Sequence, residues 1–258
     1  MITIGTDVEV FLGKDGVFAS AHDLLPGTKA KPFKVKGGAV QVDGVAAELN
    51  TIPSASFKDF KESLYTVVGE LGMITPEHTI MEHTTVEIDV MSLPHSVVRL
   101  SCETDYDPYK DLTNPSLNEK SPYRSAGGHI HIGGIFEESM KTRDRFLTAC
   151  RMSRLMDKYV GVYSLLWDKD NYRRTTYGKA GSCRFKKYGM EYRTLSNAWF
   201  FNETIMEFVF NNTLKAVNAL QKGEDVDTKY ADIINSSDVD NLFFYTDKVA
   251  KELKGVLK

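Results

Sequence analysis

The stretch that most restricts the fold is Gly127-Gly128-His129-Ile130-His131-Ile132-Gly133-Gly134. Imidazole and isoleucine alternate through it. In an extended strand, side chains two apart share a face, so His129 and His131 point one way and Ile130 and Ile132 the other. Glycine pairs at both ends let neighbouring backbone or a ligand come close. The chain must supply an apolar layer behind this strand. In front, two imidazoles suit a metal or a polyanion, and a half-buried strand with histidines on its polar side is the plain alternative.

Three other segments repeat this period of two. Residues 1–12 alternate as a strand with Asp7 and Glu9 on one face and Val8 and Val10 on the other. Two acids so placed repel each other and weaken the strand unless a cation lies between them. Residues 39–52 read as a hairpin turning at Asp43-Gly44, with Glu48 and Asn50 sharing a face of the second arm. Residues 190–195 set Glu191 and Arg193 on one face. A further strand is expected over 79–90, with its register open.

Between the strands lie helical patterns. Ser56 can cap a helix with apolar positions at Phe57, Phe60, Leu64, Val67, Val68 and Leu71. The longest helical run is expected over 141–166, another over 199–220, and two or so more after residue 227. Residues 102–125 read as a long loop, a length that tends to carry function. Residues 167–187 lose periodicity and gather Arg173, Arg174, Lys179, Arg184, Lys186 and Lys187 around Gly178 and Gly181. This reads as a mobile basic loop, suited to a polyphosphate or simply solvated.

Composition decides less. A net charge of -3 gives no electrostatic reason to expect nucleic acid as partner. Three scattered cysteines, Cys102, Cys150 and Cys183, fit reduced thiols better than a disulfide framework. No run approaches the roughly 20 apolar residues that span a bilayer, and the N-terminus has no leader pattern. The expectation is a cytoplasmic protein, with no membrane partner, in one domain over residues 1–258 that carries a helical segment from about 222.

Collected, the strands offer carboxylates with imidazole, a donor set that suits magnesium or manganese, whereas zinc would want more nitrogen or sulfur. Cations from a flexible loop complete the parts for phosphoryl transfer from a nucleotide. No Walker-type loop and no protein-kinase signature set is present. An ATP site here would have to lie on a sheet face.

The order Gly5-x-Asp7-x-Glu9, Asp43-Gly44 with Glu48-x-Asn50, Gly-Gly-His129-x-His131-x-Gly, then Arg184 and Glu191-Tyr-Arg193 resembles the carboxylate-amine ligase (amidoligase) superfamily. Glutamine synthetase and glutamate-cysteine ligase are relatives within it, and the pattern is most similar to the type 2 amidoligases of phages. It covers roughly residues 1–215. The resemblance implies an α+β fold: a curved, mostly antiparallel sheet forming an open barrel like the glutamine synthetase catalytic domain, with helices outside. It implies ATP- and magnesium- or manganese-dependent amide formation, through an acyl phosphate, between a small-molecule or peptide carboxylate and an amine. By motif position Asp7, Glu9, Glu48, His129 and Glu191 would be metal ligands. His131, Arg184 and Arg193 would act on phosphate or substrate, and Asn50, Arg173, Arg174 and Lys179 would join them in holding ATP. Asp7 departs from the usual opening Glu-x-Glu, and its shorter reach suggests metal contact through water. Two competing expectations are a guanidino-kinase-like phosphotransferase on the same fold and a catalytically inactive, virion-associated binding module.

Overall fold

The computed structural model describes residues 1–94, 97, 105–114 and 121–256. The chain opens on β1 (Thr3–Lys14), β2 (Val17–Ala19), β3 (Phe33–Val35), β4 (Gly38–Asp43) and β5 (Ala46–Thr51). Helix α1 (Phe57–Ile74) precedes β6 (Thr79–Met81) and β7 (Thr85–Glu87). Then come β8 (Tyr106–Asp107), β9 (Leu112–Thr113), β10 (Tyr123–Ser125) and β11 (Gly128–Gly133). After α2 (Thr142–Tyr159) and α3 (Asn171–Thr176) the hairpin of β12 (Cys183–Lys186) and β13 (Gly189–Tyr192) returns to the sheet. Helices α4 (Glu203–Gln221), α5 (Lys229–Ser236) and α6 (Val239–Val256) follow.

One large sheet organises these elements in the order β3-β4-β5-β1-β11-β13-β12-β8-β9, and the far half of β1 also pairs β2 and β6. Its ladders are antiparallel. The sheet begins at β3 and ends at β9 without closing into a barrel. The fold is therefore a mixture of helices and one mostly antiparallel sheet. Strand β1 sits at its centre, between β5 and β11.

Alternation in the sequence explains which face is covered. Ile4, Val8 and Val10 of β1 and Ile130 and Ile132 of β11 are buried in the main core. Helix α1 lays Phe60, Leu64, Val67 and Leu71 into that core, a stripe at helical spacing. Each such side chain contributes about 1.5–3 kcal/mol of burial. Ser56 caps α1 by accepting the Asp59 amide at 3.2 Å, worth about 1 kcal/mol. Phe60 also meets Phe210 of α4, with ring centroids 5.3 Å apart.

The glycines before β11 are required by close packing. A Cβ at Gly127 would lie 2.1 Å from His129 Nε2, and one at Gly128 would lie 2.3 Å from Trp199 Nε1. That indole donates to the Gly128 carbonyl at 3.0 Å and pins the strand to the segment before α4.

Four sequence expectations change. The long helix ends at Tyr159 and continues as a 3-10 segment over Gly161–Leu166. The expected strand over 79–90 is two short ones in different ladders, β6 on β1 and β7 on β10. The expected loop over 167–187 contains a helix, α3, and a strand, β12. Its cations and glycines erase hydrophobic periodicity, yet they find partners inside the fold. The expected loop over 102–125 carries three short strands, β8, β9 and β10, among its described residues, because their backbone groups find partners in neighbouring strands. Cys102 lies outside the described residues; Cys150 and Cys183 are buried free thiols.

Candidate functional site

Strand register lays the polar side chains out in rows. Glu9 faces Glu48, which faces Gln41. Asp7 lies between Asn50 and His129. Gly5 faces His131, then Glu191, then Arg184. Residues opposite one another on antiparallel strands share a face, as do residues two apart on one strand. Asp7, Glu9, Glu48, His129, His131 and Glu191 therefore stand on one face of the sheet, opposite the core-facing Val8 and Ile130. Arg193 follows Glu191 by two residues, just past the end of β13.

Within this face two groups of atoms lie at metal-ligand spacing. Asp7, His131 and Glu191 offer atoms within 4.8 Å of one another, and so do Glu9, Asp43 and Glu48. Burial first, and Asp43 after it, push the Glu9 carboxyl up to about 7, against a hydrogen bond from the Gly127 amide to Oε2 at 2.6 Å. Glu48 rises well above the usual carboxylate range for the same reason, burial foremost, then Asp7, Asp43 and Glu9. Gln41 donates to Glu48 at 2.9 Å and Lys29 pairs with Asp43 at 2.7 Å. Three crowded carboxylates with so little counter-charge are the donor set a divalent cation would satisfy.

The other group is balanced by imidazole. Asp7 lies 3.1 Å from His129 Nδ1 and 3.0 Å from His131 Nε2. Burial would raise its pKa, but His131 and His129 outweigh that and hold it well below the usual range. For His131 burial opposes protonation, yet Asp7 and Glu191 raise it above the ordinary imidazole value. His129 is driven the other way, first by burial and then by Arg193, whose guanidinium is 3.0 Å from Nδ1. Both effects favour its neutral form, and its Nε2 has no hydrogen-bond partner among the described residues. The metal-spaced atoms thus include His131 where the motif pointed to His129.

A wall of cations closes the β12–β13 side. Lys186 reaches Glu191 at 2.8 Å, and Arg193 contacts the other oxygen of the same carboxylate. Asp105 pairs with Arg193 at 2.7 Å and with Arg184 at 3.3 Å. On the opposite side a cavity of about 390 Å³ is lined by Gly5, Asn50, Pro53, His131, Gly133 and Tyr188. Asn50 Nδ2 has no hydrogen-bond partner among the described residues.

The basic segment is where the sequence reading needs correction. Arg173 is 1% exposed; its guanidinium donates to the carbonyls of Thr194 (2.8 Å) and Arg193 (3.1 Å) and lies over Tyr177. Arg174 is buried against Asp168 at 3.2 Å and donates to Asn171. Neither belongs to a solvated loop, because buried carbonyls and a carboxylate take up their charges. Lys179 is half-buried before β12, its carbonyl accepting from Thr194 at 2.9 Å. Asp105 and Tyr188 were not singled out by sequence; Asp43 was marked only as the hairpin turn of its motif, and Lys186 only as one of the cations of the basic segment. Asp43 had a signal, since an acid in the turn beside Glu48 could reach it. Asp105 had none: its partners lie some 80 residues away.

Compared with models of protein families, residues 118–248, just over half of the chain, match the family described as phage phiEco32-like COOH.NH2 ligase-type 2. No curated protein and no solved structure matches the chain.

Proposed function

The chain belongs to the phage phiEco32-like COOH.NH2 ligase-type 2 family, and on that basis we propose that it joins a carboxylate to an amine using ATP. The observation that carries this reading is the convergence of two metal-spaced groups and a cation wall on one sheet face. Asp7, Glu9, Asp43 and Glu48 lie outside the matched residues. The pairing of β1 with β11 brings them beside His131 and Glu191, which lie within.

Asp7, His131 and Glu191 would hold one magnesium or manganese ion, and Glu9, Asp43 and Glu48 another. Bound there, the ions supply counter-charge to phosphate oxygens. The chain's own groups do the rest. Arg184 and Arg193 grip phosphoryl oxygens through charge that no pH change removes. The cavity beside His131, lined otherwise by uncharged residues such as Pro53 and Tyr188, takes the nucleoside, with the Asn50 amide as a polar contact. A substrate carboxylate attacks the γ-phosphorus and ADP leaves; the amine then attacks the acyl carbon and phosphate leaves. Arg173 supports the backbone of Thr194 and Arg193 from behind. The proposal extends to an open sheet of the glutamine synthetase kind, reached from the unclosed face, and to a cytoplasmic setting with a small-molecule or peptide carboxylate.

Hydroxylamine trapping tests the reaction type. With Mg-ATP, a panel of carboxylates and hydroxylamine in place of the amine, a hydroxamate should form along with ADP. ATP hydrolysis indifferent to carboxylate, or a phosphorylated guanidinium product, would contradict the ligase reading. Among the described residues no helix is long and apolar enough to cross a membrane.

A further inference from the structure

Asp105 belongs to none of the sequence motifs and lies outside the family match, yet it is only 3% exposed. Its Oδ1 is 2.7 Å from Nε of Arg193 and 3.3 Å from Nε of Arg184. We propose that Asp105 is a positioning residue that holds these two guanidinium groups side by side, their amino ends presented to the phosphate-binding face. The role rests on the reading of this face as a phosphoryl-transfer centre.

Both arginines approach Asp105 through Nε, on the stem side of the fork, at ion-pair distance. Their outer nitrogens turn toward Glu191: Arg193 Nη1 touches Glu191 Oε1, and Arg184 Nη1 is 3.9 Å from the same oxygen. Two guanidiniums this close repel each other, and a shared carboxylate between their stems offsets the repulsion. It also removes in advance rotamer freedom that binding an anion would otherwise cost.

Asp105 is itself fixed to the two strands that carry the arginines. Its carbonyl accepts the Asn114 amide at 2.7 Å, and Asn114 Nδ2 donates to Ser182 just before β12. The next residue, Tyr106, pairs with Cys183. Tyr109 donates to Asp157 at 2.9 Å, and Tyr192 of β13 donates to the other oxygen at 2.6 Å. The turn between β8 and β9 is thereby tied to β13 through one buried carboxylate.

Counter-charge alone and positioning give opposite expectations. If Asp105 only neutralises the arginines, its removal leaves them more positive, Mg-ATP binds more tightly and turnover survives. If it positions them, turnover falls although nucleotide still binds. The test uses the full chain and Asp105→Asn. Arginine Nε–Hε resonances, assigned with Arg184→Lys and Arg193→Lys, report the stems directly. Both should be protected from solvent exchange in the wild type and lose about tenfold or more in Asp105→Asn. Mg-ATP affinity by calorimetry should stay within about threefold or tighten, while hydroxamate turnover falls about tenfold or more. Asp105→Glu, which restores the charge one methylene farther out, should recover part of that loss. Protected resonances or undiminished turnover in Asp105→Asn would overturn the proposal. If Asp105→Asn does not fold, Asp105→Glu decides: reduced turnover supports positioning and wild-type turnover refutes it. A wild type that forms no hydroxamate would defeat the ligase reading, and the resonances would still decide the role of Asp105.

Discussion

Glu9 and Glu48 face each other across β1 and β5, and both hold their protons more tightly in the fold than free carboxylates do. A group with a raised folded pKa favours folding at low pH, and that stability is lost as pH rises from the ordinary carboxylate range to the folded value. For Glu9 the window runs from 4.5 to about 7, with an effect on the order of 3 kcal/mol at most. In the absence of metal, Glu9→Gln should therefore melt higher than the wild type at pH 8 and nearly equal to it at pH 4. Magnesium should raise the wild-type melting temperature more at pH 8 than at pH 5.5, and by less in Glu9→Gln, which keeps only the Asp7, His131 and Glu191 group complete. A variant that melts lower than the wild type at pH 8 would show that Glu9 serves as a structural acid. Arg193 calls for a different substitution, because truncating it would take one cationic partner from both Asp105 and Glu191 and leave only Arg184 and Lys186 beside them. Arg193→Lys keeps the charge and loses the fork. Turnover should drop steeply, toward the 10³-fold or so that an arginine is worth in phosphoryl transfer, with Mg-ATP affinity changed far less.

At the scale of elements, β1 and β11 set the geometry and their glycines set the fit. Gly128→Ala would drive a methyl into Trp199 and the Ser196 carbonyl, and overpacking of this kind costs about 1–3 kcal/mol. The expected signs are a lower melting temperature and a disturbed Trp199 fluorescence; an unchanged protein would mean that β11 can slide away from the segment before α4. These strands were legible in the sequence because alternation survives wherever one face is buried. Parity alone paired Asp7 with Glu9, and His129 with His131, within their own strands; it takes the register between strands to bring these together with Glu48 and Glu191 on one face. Parity cannot tell which imidazole joins the metal-spaced group: His131 does, while His129 lies 3.1 Å from Asp7 and 3.7 Å from Glu191. The basic segment was misread for a related reason. Arg173 and Arg174 look solvated in a sequence that lacks period, and only the chain's return after β13 brings the carbonyls of Arg193 and Thr194 to Arg173. Asp105 was illegible, since nothing local marks an acid whose partners are brought by β8 pairing with β12.

Taken whole, the molecule assembles one face from distant parts of the chain. The N-terminal hairpins bring Asp7, Glu9, Asp43 and Glu48; the family-matched half brings His131, Arg184, Glu191 and Arg193. Neither half holds a complete set of groups, so substitution in either should abolish the same binding event. Calorimetric titration with ATP, with and without magnesium, of the wild type, Glu48→Gln and Glu191→Gln measures this most directly. The account predicts magnesium-dependent ATP binding to the wild type and its loss in both variants, since each removes a carboxylate from a different metal-spaced group. Unchanged affinity in either variant, or equal ATP binding without the metal, would contradict a single Mg-ATP site built from both halves.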